Sequence, residues 1–149
     1  MINANILLIE DNEGDILLTK EALFDFKIHN EVSVIRDGKD AINFFEALQG
    51  FEIMPYIVLL DINVPKVSGI EILKYIKSQD KCKNMPVIML TTSSSDRDRT
   101  EAFKNNANSY LTKPLEVSDL IKAISTTRDF WFEIGYLTGS DSSRLGLGD

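Results

Sequence analysis

The 149-residue sequence predicts an α/β domain: a doubly wound, five-stranded parallel sheet with helices on both faces. Two observations carry this. Three short apolar runs, Ile6-Leu7-Leu8-Ile9, Ile57-Val58-Leu59-Leu60 and Val87-Ile88-Met89-Leu90, do not alternate with polar residues. That is the pattern of strands buried on both faces. Between them lie segments whose apolar residues recur at helical spacing, so strands and helices alternate along the chain.

The elements follow in order. After the first strand, Ile16, Leu17, Thr19, Lys20 and Leu23 begin a helix. Val32-Ser33-Val34-Ile35 is a weaker second strand, and Ala41, Ile42, Phe45 and Leu48 mark the second helix. The third strand, Ile57 to Leu60, leads through Ser68-Gly69 into a helix carrying Ile70, Leu73, Ile76 and Lys77. After the fourth strand comes a polar, weakly patterned helix from Ser95 to Asn105. Ser109-Tyr110-Leu111-Thr112 is a weaker fifth strand, and a long fifth helix is expected from about Ser118 to beyond Trp131. Five βα units joined by right-handed crossovers suit a flavodoxin-like domain. It is expected over residues 1–134, with a Gly/Ser/Asp-rich flexible extension over 135–149.

Composition bounds the function. Hydrophobic residues are 44% and charged residues 26%, ordinary for a globular domain, which excludes a wholly disordered chain or a fibre. No apolar run reaches the roughly 20 residues that cross a bilayer. Met1-Ile2-Asn3-Ala4-Asn5 lacks the basic start and cleavage site of a signal peptide. A single cysteine, Cys82, excludes a disulfide framework and a cysteine zinc site, so a reducing cytoplasm is expected. With 23 acidic against 16 basic residues, the net charge is −7. That field repels nucleic acid, and neither nucleic acid nor membrane is expected as a partner.

Ligands of such sheets bind outside the carboxyl ends of the strands, so the residues there are informative. Strand one runs into Glu10-Asp11, strand three ends in Asp61, strand four in Thr91-Thr92, and strand five in Lys113-Pro114. Three carboxylates, a hydroxyl and an ammonium should therefore share one cleft. Clustered carboxylates repel one another and call for a cation. All-oxygen ligands with open positions suit Mg2+, with Mn2+ as the alternative. A carboxylate can act as nucleophile to form an aspartyl-phosphate, and Lys and Thr can neutralise the oxygens of a transferred phosphoryl group. The logic is phosphoryl transfer onto Asp61. Each piece has a plainer explanation: an acidic helix start for Glu10-Asp11, a loop for Asp61, β-formers for Thr91-Thr92, and a turn for Lys113-Pro114. Their coincidence at four strand ends favours the site.

The arrangement resembles the receiver domains of two-component response regulators, nearly to the end of the chain at about Ile134. The resemblance implies an acidic pair Glu10-Asp11 and a phospho-acceptor Asp61 within Asp61-Ile-Asn-Val-Pro65-Lys-Val-Ser-Gly69. It also implies a switch hydroxyl Thr91, a lysine Lys113 and a switch aromatic Tyr110. By similarity Asn63 lends its backbone carbonyl to Mg2+, and its side chain and Ser93 flank the path of the hydrolytic water. On phosphorylation Thr91 is expected to move toward the phosphoryl group and Tyr110 to turn inward behind it. Closer still, Glu10-Asp11-Asn12, Asp15, Glu21-Ala22-Leu23, Leu90-Thr91-Thr92-Ser93 and Phe130-Trp131 resemble the small stand-alone regulators paired with bacterial phytochrome kinases. Asn106 stands where a glycine often ends helix four, and Leu115 where a phenylalanine often follows Lys-Pro. Asparagine also tolerates the left-handed conformation, so the turn survives.

The implied partners are a sensor histidine kinase, of bacterial phytochrome type, and a downstream protein target or phosphotransfer protein. The implied chemistry is self-catalysed phosphoryl transfer and autodephosphorylation, not turnover of a separate substrate. A flavodoxin-type electron carrier is disfavoured because Glu10-Asp11-Asn12-Glu13-Gly14-Asp15 would repel a flavin phosphate. A haloacid-dehalogenase-like phosphatase would need Asp where Asn63 stands. A pseudo-receiver that only binds partners does not need the complete acidic, Thr and Lys set. His29, the only histidine, and Cys82 read as incidental, and Met85 and Met89 as core. Finally, Leu120, Ile124, Thr127, Trp131 and Ile134 form one helical stripe, and Phe130, Trp131, Phe132 and Tyr136 exceed what one sheet face can bury. A homodimer interface at these aromatics is the expectation.

Overall fold

A computed structural model describes residues 6–25, 31–48, 57–92 and 95–127. Five parallel strands, β1 (Ile6–Ile9), β2 (Val32–Ile35), β3 (Ile57–Asp61), β4 (Val87–Thr91) and β5 (Ser109–Thr112), form one sheet in the order β2-β1-β3-β4-β5. Helices α1 (Glu13–Asp25), α2 (Gly38–Ala47), α3 (Gly69–Ser78), α4 (Asp96–Lys104) and α5 (Val117–Ser125) alternate with them. The order reverses direction between β1 and β3, so Glu10 and Asp61 flank the switch point. Among the described residues, no helix is long and apolar enough to cross a membrane.

The unbroken apolar runs are explained by two cores, one on each face. Leu7, Ile9, Val58, Leu60, Val87 and Met89 pack with Phe45 of α2, Ile72, Leu73 and Ile76 of α3, and Ala102 of α4. Their neighbours Ile6, Leu8, Ile57, Leu59, Ile88 and Leu90 pack with Ile16 and Leu23 of α1 and Leu120 and Ile124 of α5. Each fully buried Leu or Ile contributes about 1.5–3 kcal/mol, and this two-sided burial pins the strand ends that carry the polar residues. On α1 the inward residues are Ile16, Thr19, Ala22 and Leu23, whereas Leu17 and Leu18 face solvent.

Side-chain caps start three helices. Asp37, Ser68 and Ser95 accept from the backbone N–H groups of Asp40, Glu71 and Asp98, satisfying donors that have no helical partner. Gly69 sits directly under the end of β3. A Cβ there would lie 2.4 Å from the Asp61 carbonyl oxygen, and its N–H donates to Ile62 O at 2.7 Å. Asn106 ends α4 with φ 71, the left-handed turn expected of it.

The fifth helix is shorter than its apolar stripe suggests. It closes at Ser125, where the hydroxyls of Ser125, Thr126 and Thr127 bond to the carbonyls of Lys122, Ala123 and Ile124. The backbone N–H groups of Thr126 and Thr127 donate three residues back, to Ala123 O and Ile124 O, so the last turn tightens. Thr127 is therefore past the helix rather than within a continuous stripe. Trp131 and Ile134, the aromatics Phe130, Phe132 and Tyr136, and the boundary near residue 134 lie outside the described residues, as do His29 and Ser93.

Candidate functional site

Four strand ends deliver the site. Glu10 follows β1, and its N–H continues the ladder to Ile35 O at 3.0 Å; its side chain is almost wholly buried. Asp61 is the last residue of β3 and Thr91 the last of β4, both buried. Lys113 follows β5, with its N–H donating to Thr91 O at 2.7 Å and a cis peptide to Pro114. Asp11, next to Glu10, is exposed at the mouth of the cleft.

Glu10, Asp11 and Asp61 each offer a carboxylate oxygen, all within 4.8 Å of one another. The Lys113 ammonium joins the same cluster. It donates to Glu10 Oε1 at 2.5 Å, Asp15 Oδ2 at 2.9 Å and Asp61 Oδ2 at 3.4 Å. The other oxygens are also used: Asp61 Oδ1 accepts the Asn63 N–H at 3.1 Å and Glu10 Oε2 the Asn12 N–H at 3.2 Å. Asn63 thus joins the cluster through its backbone, with the residue itself exposed.

Burial pushes the Glu10 carboxyl up to about 7; the Lys113 hydrogen bond pulls it down, and the Asp61 charge adds to the rise. Burial also disfavours the charged form of Lys113. The hydrogen bonds to Glu10 and Asp15 and the charge of Asp61 outweigh it, and Lys113 is raised. Burial is thus the main cause of the Glu10 rise, with the neighbouring Asp61 charge adding to it. The cluster's donor set, oxygen only, with one ligand at the solvent-facing mouth, fits a hard divalent cation that keeps several waters.

The structure thus brings together Glu10, Asp11, Asp61 and Lys113, with Asn63 and the buried Thr91 on the same strand ends. It also adds Asp15, which was not among the residues assigned to the site. The acidic first turn of α1 was its signal, but nothing local ties position 15 to position 113. Tyr110 lies inward. The residue is buried, 5% exposed, in the core under α4, with the Arg99 guanidinium 4.7 Å from the ring centroid. Tyr110 faces the α4 side in register with the inward Met89, and the helices on that face bury it.

A model of the response regulator receiver domain matches residues 6–125. The chain belongs to the response regulator receiver family. The probable methanogenesis regulatory protein FilR2 of Methanothrix harundinacea is 38% identical over 127 residues, covering 85% of this chain and 82% of the relative. Response regulator Rcp1 of Synechocystis sp. is 37% identical over 130 residues, covering 86% and 88%. The Mn2+-bound form of Rcp1 superposes with TM-score 0.71 at 36% identity, over 87% of this chain and 95% of that one. The phosphorylated cyanobacterial phytochrome response regulator RcpA gives TM-score 0.73 at 34% identity, over 88% and 95%. As a receiver domain the chain is a phosphoryl-accepting module of two-component signalling, and its acidic cluster is of the kind that binds a divalent metal.

Proposed function

We propose that Asp61 is the phosphoryl acceptor of this receiver domain and that its donor is the phosphohistidine of a sensor histidine kinase, of phytochrome type. The observation that carries it is the convergence of Glu10, Asp11 and Asp61 within 4.8 Å, with the Lys113 ammonium against Asp61. An Asp61 carboxylate oxygen attacks phosphorus, the P–N bond to the kinase imidazole breaks, and its electron pair returns to the ring nitrogen. The product is an acyl phosphate on Asp61. Mg2+, with Mn2+ as the alternative, would be held by Glu10, Asp11, Asp61 and the Asn63 carbonyl, and would neutralise charge on the transferring oxygens. Lys113 supplies a second positive charge beside Asp61 Oδ2, and the Asn63 N–H orients the Asp61 carboxylate through Oδ1. Thr91, at the neighbouring strand end, is the hydroxyl available to a phosphoryl oxygen. The link to phytochromes is supported by the likeness to Rcp1 and RcpA.

Phosphorylation adds nearly two negative charges beside Thr91 and Lys113, and so biases the surface of α4, β5 and α5 that meets a downstream target or phosphotransfer protein. We further place the protein in the reducing cytoplasm, consistent with its single, buried thiol. A homodimer through Phe130, Trp131, Phe132 and Tyr136 rests on the density of aromatics there. Labelled acetyl phosphate or a phosphorylated histidine kinase should label the wild type in Mg2+ but not Asp61→Asn. Label on Asp61→Asn, or full labelling of the wild type in a metal chelator, would refute the assignment.

A further inference from the structure

We propose that Asp15 is a positioning residue that holds the Lys113 ammonium on the α1 side of the cleft, and so opposes its engagement with a phosphoryl group on Asp61. The inference rests on the reading of Asp61 as acceptor and deepens it. An ammonium has three hydrogens to donate, and Lys113 has a carboxylate for each: Glu10, Asp15 and Asp61. The Asp61 contact, at 3.4 Å, is the longest of the three; the Asp15 contact is 2.9 Å. In the unphosphorylated chain the ammonium therefore sits closer to Glu10 and Asp15 than to the acceptor.

The backbone that carries Asp15 is held in place. Its N–H donates to Asn12 Oδ1 at 2.9 Å, and its carbonyl accepts from Thr19 Oγ1 at 2.8 Å. Thr19 is buried, and the helix is anchored beside it by Ile16 and Leu23. The carboxylate is thus mounted on a fixed first turn. A phosphoryl group on Asp61 brings a charge of about −1.5 to −2, which draws Lys113 toward it. The Asp15 contact must then lengthen or break. A contact present in the resting state and weakened in the phosphorylated state shifts the equilibrium toward rest by its own strength. The Asp15 side chain is 31% exposed, so water screens the pair and the bias is modest.

The test is the affinity of full-length protein for beryllofluoride, a phosphoryl mimic, at saturating Mg2+. Asp15→Asn should bind it roughly three- to fivefold more tightly than the wild type, the size expected of one partly exposed ion pair. Glu13→Gln removes a carboxylate from the same helical turn that pairs with Arg36 rather than Lys113, and should leave the affinity unchanged. Equal affinity in wild type and Asp15→Asn, or an equal gain in Glu13→Gln, would overturn the inference. If the wild type itself binds no beryllofluoride, the acceptor reading of Asp61 fails instead. The contact is then judged by the Lys113 ammonium nitrogen resonance of the resting protein. Asp15→Asn should shift it, and an unmoved resonance would overturn the proposal on its own.

Discussion

The guanidinium carbon of Arg99, on α4, lies 4.7 Å from the centre of the Tyr110 ring, on β5. The ring is buried in the core that α2, α3 and α4 cover, while Arg99 itself remains exposed. Arg99 therefore closes the solvent side of the aromatic expected to take part in switching, and it links α4 to β5 by a contact other than the strand ladder. Cation–π contacts at exposed sites contribute about 0.5–1 kcal/mol.

Arg99→Ala should accordingly destabilise the domain by about 0.5–1 kcal/mol in urea unfolding. It should also broaden or shift the Tyr110 ring resonances as the ring samples outward positions. Arg99→Lys, which keeps a cation over the ring, should restore most of both. Ring resonances identical to wild type in Arg99→Ala would show that packing alone holds Tyr110.

The raised Glu10 carboxyl sets a pH dependence. Its folded value of about 7 exceeds the ordinary 4.5, so folding favours its neutral form. That stabilisation is complete below about pH 4.5 and is lost as pH rises through 7. A divalent cation reverses the preference, because it binds the ionised carboxylate. The gain in melting temperature on adding Mg2+ should therefore be larger at about pH 8 than at about pH 6. Chelated and Mg2+-loaded samples compared by calorimetry at both pH values check this. An equal gain at both would remove Glu10 from the metal site.

Gly69 offers a test of how rigidly the acceptor is held. A methyl group at this position would meet the Asp61 carbonyl oxygen at 2.4 Å and Ile62 Cα at 2.6 Å, and both are backbone atoms that cannot swing aside. Gly69→Ala should lower stability by about 1–3 kcal/mol through this overpacking. It should also weaken Mg2+ binding, because the backbone that must give way carries Asp61 and Asn63. Denaturant unfolding and Mg2+ titration read the two effects, and unchanged values in both would mean that the α3 start can shift without moving β3.

The aromatic run past α5 predicts self-association. Sedimentation at micromolar concentration should show a dimer, and Trp131→Ala with Phe132→Ala should weaken it by about tenfold or more if these are interface anchors. A wild type that stays monomeric with and without phosphorylation would assign the aromatics to the monomer.

The alternation of elements could be read along the chain because each depends on residues close in sequence. Unbroken runs such as Ile57 to Leu60 suit a strand covered on both faces, and the Ile70, Leu73, Ile76 and Lys77 spacing suits a helix, of which the structure buries Leu73 and Ile76 and adds Ile72. The acceptor cluster was legible for a related reason. In a parallel sheet every strand delivers its last residue to the same edge, so Glu10, Asp61, Thr91 and Lys113 were bound to meet once the strands were placed. What only the tertiary structure decided lies in contacts between residues far apart in the chain. Asp15 shares the Lys113 ammonium across 98 positions, and Arg99 lies over a ring that the α4 packing had already buried. The end of α5 at Ser125 was missed for the opposite reason. An apolar stripe reports which face would be buried if the helix continued, whereas the backbone N–H groups of Thr126 and Thr127 turn to Ala123 O and Ile124 O, three residues back.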